Sequence, residues 1–143
     1  MSWENRMSRS HPIISITGSS GAGTTSVKKT FENIFRREKV AAAYIEGDAF
    51  HRYNRVEMRT KMSEEAERGN KHFSHFSPET NLFEELERVF RDYGESGTGT
   101  TRHYVHDDDE ARLYGADPGT FTKWGRCRKN PICCSMKACT VPL

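Results

Sequence analysis

Short apolar runs alternate with longer amphipathic segments over most of the chain. Residues 12–17 and 41–46 are apolar runs of the length that buried strands have. Between them, residues 24–38 place apolar side chains at intervals of three and four, which predicts a helix with one buried face. The residues of that face are Val27, Phe31, Ile34 and Phe35. A strand, a helix and a second strand are therefore predicted in that order.

The same alternation continues further along the chain. Residues 55–68 predict a charged, exposed helix that ends at Gly69, and residues 78–93 predict a helix with an apolar stripe. The stripe comprises Leu82, Leu86, Val89 and Phe90. Residues 94–101 predict a loop and residues 102–106 a short strand. Alternating strands and helices indicate an α/β fold with a largely parallel sheet flanked by helices.

A glycine-rich run, GSSGAGTT at residues 18–25, follows the first predicted strand and begins the first predicted helix. This context indicates a P-loop, in which glycines let backbone N–H groups approach a phosphate and the helix N-terminus adds partial positive charge. Thr24 stands where a P-loop has lysine, and Thr25 where it has a metal-binding hydroxyl. An ordinary turn of small residues is the alternative. The predicted nucleotide-binding residues are Gly18, Ser19, Ser20, Gly21, Ala22, Gly23, Thr24, Thr25 and Ser26.

Composition narrows the class of protein. The formal charge of +2 is nearly balanced, which argues against a nucleic-acid-binding surface. No apolar run reaches membrane-spanning length, and no signal peptide is visible. The hydrophobic fraction of 34% is low for a complete domain and fits part of a larger core. The four cysteines all lie at or after Cys127, so a fold without disulfides and a cytoplasmic location are expected.

Several strings together resemble one family. They are IEGDAFHRY at residues 45–53, HFSHF at 72–76, EELERVFRDYG at 84–94, YVHD at 104–107 and PGTFT at 118–122. With the lysine-less loop, they are similar to phosphoribulokinase of the bacterial type. The resemblance implies a P-loop kinase fold and ATP-dependent phosphorylation of ribulose 5-phosphate in the Calvin cycle. It also implies ATP and Mg²⁺ as cofactors and a homo-oligomeric full-length protein.

The resemblance gives roles to individual residues. Asp48 follows the second predicted strand and heads the string that matches the family's catalytic base; a turn or cap aspartate is the alternative. His51 and Arg55 follow it at helical intervals and match sugar-phosphate contacts, whereas a solvated basic face is the alternative. His106 matches a residue near the sugar. Arg37 matches a position implicated in control by NADH, and an exposed helix-end arginine is its alternative.

The residues after Trp124 match nothing in that family, whose next strand reads LLFYEGLHG and supplies an acidic residue for the metal-nucleotide. Codons for residues 132–142 exist that encode DLLFYEGLHGA when read one base earlier. Met136 and Lys137 force a glutamate codon in that shifted frame. A one-base slip near residues 124–125 is therefore expected. It divides the chain into residues 1–124, the N-terminal part of a phosphoribulokinase domain, and residues 125–143, a tail outside the family.

Three alternatives remain beside the phosphoribulokinase hypothesis. One is another P-loop kinase of small molecules, such as a uridine-kinase-like enzyme, against which the missing lysine and the residues around Asp48 argue. A second is a module that binds nucleotide without catalysis, and a third is an unstable fragment without function. A metal site at the tail cysteines is disfavoured because their spacing contains no C-x-x-C pair and no histidine.

Overall fold

The computed structural model describes residues 11–18, 21–127 and, as backbone, 134–138. The strands are β1 (Ile14–Thr17), β2 (Ala43–Tyr44), β3 (Thr100–Thr101), β4 (Gly125–Arg126) and β5 (Cys134–Ala138). The helices are α1 (Thr24–Arg37), α2 (Arg55–Glu67), α3 (Phe83–Ser96) and α4 (Asp108–Tyr114). Two 3₁₀ turns, Gly47–Phe50 and Pro78–Thr80, connect these elements. The order of strands and helices confirms the α/β class.

The main sheet is parallel, with β5 between β1 and β2. Ile14 is in register with Ser135 on one side of β5, and Ala43 with Cys134 on the other. The tail, for which the sequence predicts no element, contributes this middle strand and also β4, which pairs antiparallel with β3. Because β1 and β2 run the same way, Gly18 and the turn after β2 lie at the same edge of the sheet.

The core lies between the sheet and α3. Its buried members are Ile45, Ala49, Phe50, Val89, Tyr93 and Cys127, and the partly buried residues Leu82, Leu86 and Phe90 pack against them. The apolar stripe predicted for this helix is thereby confirmed. On α1 the expected buried face is only partly covered: Phe35 is buried, whereas Val27 is 42% and Ile34 is 38% exposed.

Local predictions were wrong in several places. The helix predicted from residue 78 begins at Phe83, after a 3₁₀ turn, and β3 lies within the predicted loop of residues 94–101. Residues 102–106 do not form a strand: Tyr104 makes a single bridge with Phe121, and the regular pairing occurs earlier, in β3. Helix α4 was not predicted, because it has only 7 residues and no buried one to produce a periodic signal. Its beginning is capped by the Asp107 side chain, which accepts a hydrogen bond from the Glu110 backbone N–H at 2.9 Å.

Helix α2 follows its predicted bounds within a residue. Asn54 caps it by accepting hydrogen bonds from the backbone N–H groups of Val56 and Glu57. The Glu57 carboxylate in turn accepts a hydrogen bond from the Asn54 backbone N–H. This capping box fixes Arg55 as the first helical residue, which determines where its side chain leaves the backbone. Among the described residues, no helix is both long and apolar enough to cross a membrane.

Candidate active site

Asp48 lies in the 3₁₀ turn directly after β2. The turn is anchored by Ala49 and Phe50, which are buried in the core, while the Asp48 side chain is 24% exposed and points out at the sheet edge. A carboxylate held by a buried turn yet open to solvent can meet a ligand without moving the backbone. The expectation that Asp48 follows the second strand is confirmed.

Two histidines flank the Asp48 carboxylate. His106 Nε2 lies 3.2 Å from Asp48 Oδ2, and His51 Nε2 lies 3.5 Å from Asp48 Oδ1. The hydrogen bond from His106, and then the one from His51, hold the pKa of Asp48 well below its usual value, although burial acts in the opposite direction. Asp48 is therefore ionised throughout the neutral range and can accept a hydrogen bond from a ligand hydroxyl.

The second nitrogen of each histidine ring is also engaged. His51 Nδ1 lies 2.9 Å from Asn81 Oδ1, and His106 Nδ1 lies 2.9 Å from Glu110 Oε2. The hydrogen bond with Asp48 raises the pKa of His106 to about 9, with burial opposing it and Glu110 adding to it. His106 is thus an imidazolium at neutral pH. Asn81 and Glu110 were missed by the sequence analysis, although the four-residue spacing of His106 and Glu110 is a helical signal.

Arg55 lies beside His106. Its Nη2 atom donates a 2.9 Å hydrogen bond to the His106 carbonyl, and its backbone N–H donates to the Gly119 carbonyl at 2.9 Å. Gly119 has φ +82°, and a Cβ there would come within 2.9 Å of the Arg55 Cβ. Glycine is therefore needed at this close approach. The structure thus brings together Asp48, His51, Arg55 and His106, which the resemblance grouped.

Arg102 is a further residue of the site that sequence reasoning missed. Its Nε donates to the Ala49 carbonyl at 2.8 Å and its Nη2 to the His51 carbonyl at 2.7 Å. The guanidinium stacks over the Phe121 ring at 3.7 Å and the Trp124 ring at 4.6 Å. Burial lowers its pKa. Arg102 therefore clamps the backbone that follows Asp48, at Ala49 and at His51.

The glycine-rich loop lies at the end of β1, and its Ser19 and Ser20 fall outside the described residues. Gly21 and Gly23 have φ +82° and +81°, a conformation that favours glycine. A Cβ at Gly18 would come within 2.9 Å of Thr24 Cγ2, so the residue at the lysine position packs beside Gly18. Ala22, Thr25 and Ser26 are exposed at the start of α1. The described part of the loop therefore has a backbone conformation that requires glycine at two positions.

Thr25, the predicted metal ligand, lies at the start of α1, and Arg37, the predicted effector residue, lies at its end. The described residues contain no group of three or more His, Cys, Asp or Glu side chains able to hold a metal ion. Since Mg²⁺ is often held by one or two protein ligands and substrate phosphates, the exposed Thr25 hydroxyl fits as one ligand of a nucleotide-borne ion. Arg37 lies at the far end of α1, roughly 20 Å from the loop by helix length, and pairs with Glu38 at 2.8 Å.

Residues 13–125 match the model of the Phosphoribulokinase / Uridine kinase family. A phosphoribulokinase of Nitrobacter vulgaris is 79% identical over 118 residues, covering 82% of this chain and 41% of that protein. One of Sinorhizobium medicae is 61% identical over 126 residues, covering 88% and 43%. The solved phosphoribulokinase from Rhodobacter spheroides matches with a TM-score of 0.76 and 48% identity, covering 90% and 43%. The chain thus spans about two fifths of these relatives.

Proposed function

We propose that this chain, which belongs to the phosphoribulokinase / uridine kinase family, is the N-terminal part of an ATP-dependent kinase that converts ribulose 5-phosphate to ribulose 1,5-bisphosphate. The observation that carries the proposal is the ionised Asp48 carboxylate, which lies between two histidines at the sheet edge that also ends in the glycine-rich loop. In this proposal, the base for the hydroxyl and the cradle for the nucleotide phosphate lie at the same edge of the sheet.

In the proposed reaction, Asp48 orients the O1 hydroxyl of the sugar and takes its proton as the oxygen–phosphorus bond forms and ADP leaves. His106 cannot take that proton, because it is already an imidazolium. The backbone N–H groups of the glycine-rich loop hold the nucleotide phosphates. A magnesium ion carried by ATP, with Thr25 as a ligand, would neutralise phosphate charge.

The sugar phosphate needs cations, and the site offers them on one side of Asp48. His106 is cationic, and Arg55, whose guanidinium is exposed, lies against the His106 backbone. The planar guanidinium matches phosphate geometry. In this proposal Arg55 and His106 bind the substrate's existing phosphate and sugar, while His51 holds the opposite side of the Asp48 carboxylate. Uridine carries no phosphate and would leave these cations unused.

The proposal divides the chain at residue 124. Residues 1–124 form the family part, and residues 125–143 are the product of a shifted frame. Lys137, which is in register with Ile16, overlaps the glutamate codon of that frame. A basic residue replaces an acidic one near the nucleotide site, and we therefore expect the chain as given not to transfer phosphate.

Control by NADH at Arg37, a homo-oligomeric state and a cytoplasmic location belong to the same proposal.

The test is a chimera that joins residues 1–124 of this chain to the C-terminal remainder of the Nitrobacter vulgaris relative. With ATP and ribulose 5-phosphate, this full-length chimera should form ADP and ribulose 1,5-bisphosphate, and it should not phosphorylate uridine. Turnover of uridine in preference to ribulose 5-phosphate would favour the uridine-kinase-like alternative. Calorimetric ATP binding without turnover of either substrate would favour the nucleotide-binding module.

A further inference from the structure

One oxygen of Glu110 holds His106 at two points. Glu110 Oε2 accepts a hydrogen bond from the His106 backbone N–H at 2.7 Å and lies 2.9 Å from ring Nδ1. Glu110 is itself fixed, because its backbone N–H is bound by the Asp107 side chain that caps α4. The backbone and the ring orientation of His106 therefore depend on the same carboxylate.

The two contacts of the ring determine its protonation. An ionised carboxylate only accepts hydrogen bonds, so Nδ1 carries a proton toward Glu110. Nε2 faces the Asp48 carboxylate, which is also an acceptor, so Nε2 carries a proton as well. With Glu110 ionised, a neutral ring would turn a lone pair onto Asp48. The geometry thus requires the imidazolium.

The surroundings of the ring favour the same charge. The carboxylates of Asp48 and Glu110 face it from the turn after β2 and from α4. Arg55 is the neighbouring cation, and it contacts the His106 carbonyl rather than the ring. Tyr104 meets the ring edge-on at 5.0 Å, and His51 lies on the other oxygen of Asp48. Two carboxylates against one guanidinium favour a positive ring.

We propose that Glu110 is a positioning residue that keeps His106 an imidazolium with Nε2 turned to Asp48. For substrate binding, this rests on the proposed function. Glu110 keeps a fixed cation beside the base, where an anionic sugar phosphate is bound. It also separates substrate binding from proton transfer, since the charged His106 binds the substrate and Asp48 alone takes the proton. The neighbouring Asp109 is different: its side chain is 89% exposed and pairs with Arg112.

The test compares Glu110→Gln with Asp109→Asn in the full-length chimera. Both substitutions remove one negative charge from α4, but only the first removes it from His106. In the unsubstituted chimera, the His106 ring should titrate by NMR near pH 9, with its signal assigned from His106→Asn. Glu110→Gln should lower that midpoint by about one unit or more, and Asp109→Asn should leave it in place.

Kinetics supply the second measurement. Glu110→Gln should raise KM for ribulose 5-phosphate roughly tenfold, the effect of weakening a charged contact, with a much smaller change in kcat. In a His106→Asn background, Glu110→Gln should change KM no further, because Glu110 acts through His106. If the role of Glu110 were purely structural, Glu110→Gln would instead lower the stability of the protein, and its effect would persist in the His106→Asn background.

The outcomes separate the two proposals. Equal His106 midpoints in Glu110→Gln, Asp109→Asn and the unsubstituted chimera would overturn the role of Glu110, whatever the activity. A chimera without ribulose 5-phosphate kinase activity, whose His106 midpoint still falls in Glu110→Gln, would remove the proposed function and leave the positioning role supported.

Discussion

Lys28 Nζ lies 2.6 Å from Glu46 Oε1, so the second turn of α1 is joined to the segment that leads from β2 to Asp48. Burial acts to lower the pKa of Lys28, but the hydrogen bond and charge of Glu46 outweigh it and raise that pKa. This lysine is one turn down the helix from Thr24, the residue at the usual lysine position of a P-loop. Its charge is already paired within the protein.

The pairing of Lys28 predicts that it does not replace the missing lysine. In the full-length chimera, Lys28→Met should change ATP affinity less than about threefold, because the Lys28 charge is paired with Glu46 and does not contact the nucleotide. Loss of such a surface ion pair should cost about 1 kcal/mol of stability or less. Isothermal calorimetry measures this affinity, and Lys29→Met on the exposed side of α1 is the matched control. A tenfold loss in Lys28→Met alone would assign Lys28 to the nucleotide phosphates.

Asp48→Asn tests the proposed base. The substitution keeps the shape of the side chain and removes its ability to take a proton, so turnover of ribulose 5-phosphate in the chimera should fall by at least ~10²-fold. ATP affinity should stay within a few-fold, since the glycine-rich loop is unchanged. Asp109→Asn, the same chemical change on α4, should retain turnover. Near-normal turnover of Asp48→Asn would exclude Asp48 as the base.

Gly23→Val tests the phosphate loop. Gly23 has φ +81°, a conformation that a β-branched residue adopts only with strain, and the added side chain would project from backbone that must meet a phosphate. We expect ATP affinity measured by calorimetry to fall at least ~10-fold, the scale of a lost charged contact. Gly94→Ala within α3, where a Cβ meets nothing within 4 Å, is the control. Unchanged affinity in a folded Gly23→Val protein would place the phosphates elsewhere.

The raised pKa of His106 predicts how stability depends on pH. Since this pKa is about 9 in the folded protein against 6.5 unfolded, the pair with Asp48 is fully stabilising below about 6.5 and is lost as pH rises through about 9. The depressed pKa of Asp48 adds a lower limit, because its contribution is present above about 3.8 and is lost in acid. The difference in Tm between the chimera and its His106→Asn variant should be largest between these limits.

The pH prediction is checked by thermal melts of both proteins at pH 6 and pH 10. The difference in Tm should be clear at pH 6 and should vanish at pH 10, because His106 is then neutral. A difference that is the same at both values would show that the imidazolium does not contribute to folding.

The 143-residue chain itself should be poorly stable. On the apolar face of α1, the side chains of Val27 and Ile34 are each more than a third exposed. If too little apolar surface is buried, the hydrophobic gain cannot offset the conformational entropy lost on folding. We expect aggregation or a broad thermal transition and no ribulose 1,5-bisphosphate, whereas the full-length chimera should melt cooperatively. A sharp transition together with product formation by the chain as given would refute the frame-shift hypothesis.

The sequence predicted two kinds of feature: helices whose apolar residues recur over several turns, and the alternating order of strands and helices. The stripe on α3 is confirmed because Val89 and its neighbours pack into one core. Arg102 could not be found in this way, because its partners are backbone carbonyls, which every residue has, and two rings that follow it by about twenty residues. Strand β5 was hidden because its residues carry no family pattern in this frame, although its backbone pairs on both sides.

The position of β5 between β1 and β2 also fixes how far apart those two strands lie. β1 ends at the glycine-rich loop, β2 leads to Asp48, and each pairs with β5. Neighbouring strands lie roughly 4.8 Å apart, so the strands that carry the nucleotide loop and the base are held roughly 10 Å apart. In the proposed reaction, the outer phosphate of the donor and the hydroxyl of the acceptor would have to meet across that gap. In the proposed full-length kinase, the strand at this position would therefore set the transfer distance, and a change in its backbone would alter that distance without touching either substrate.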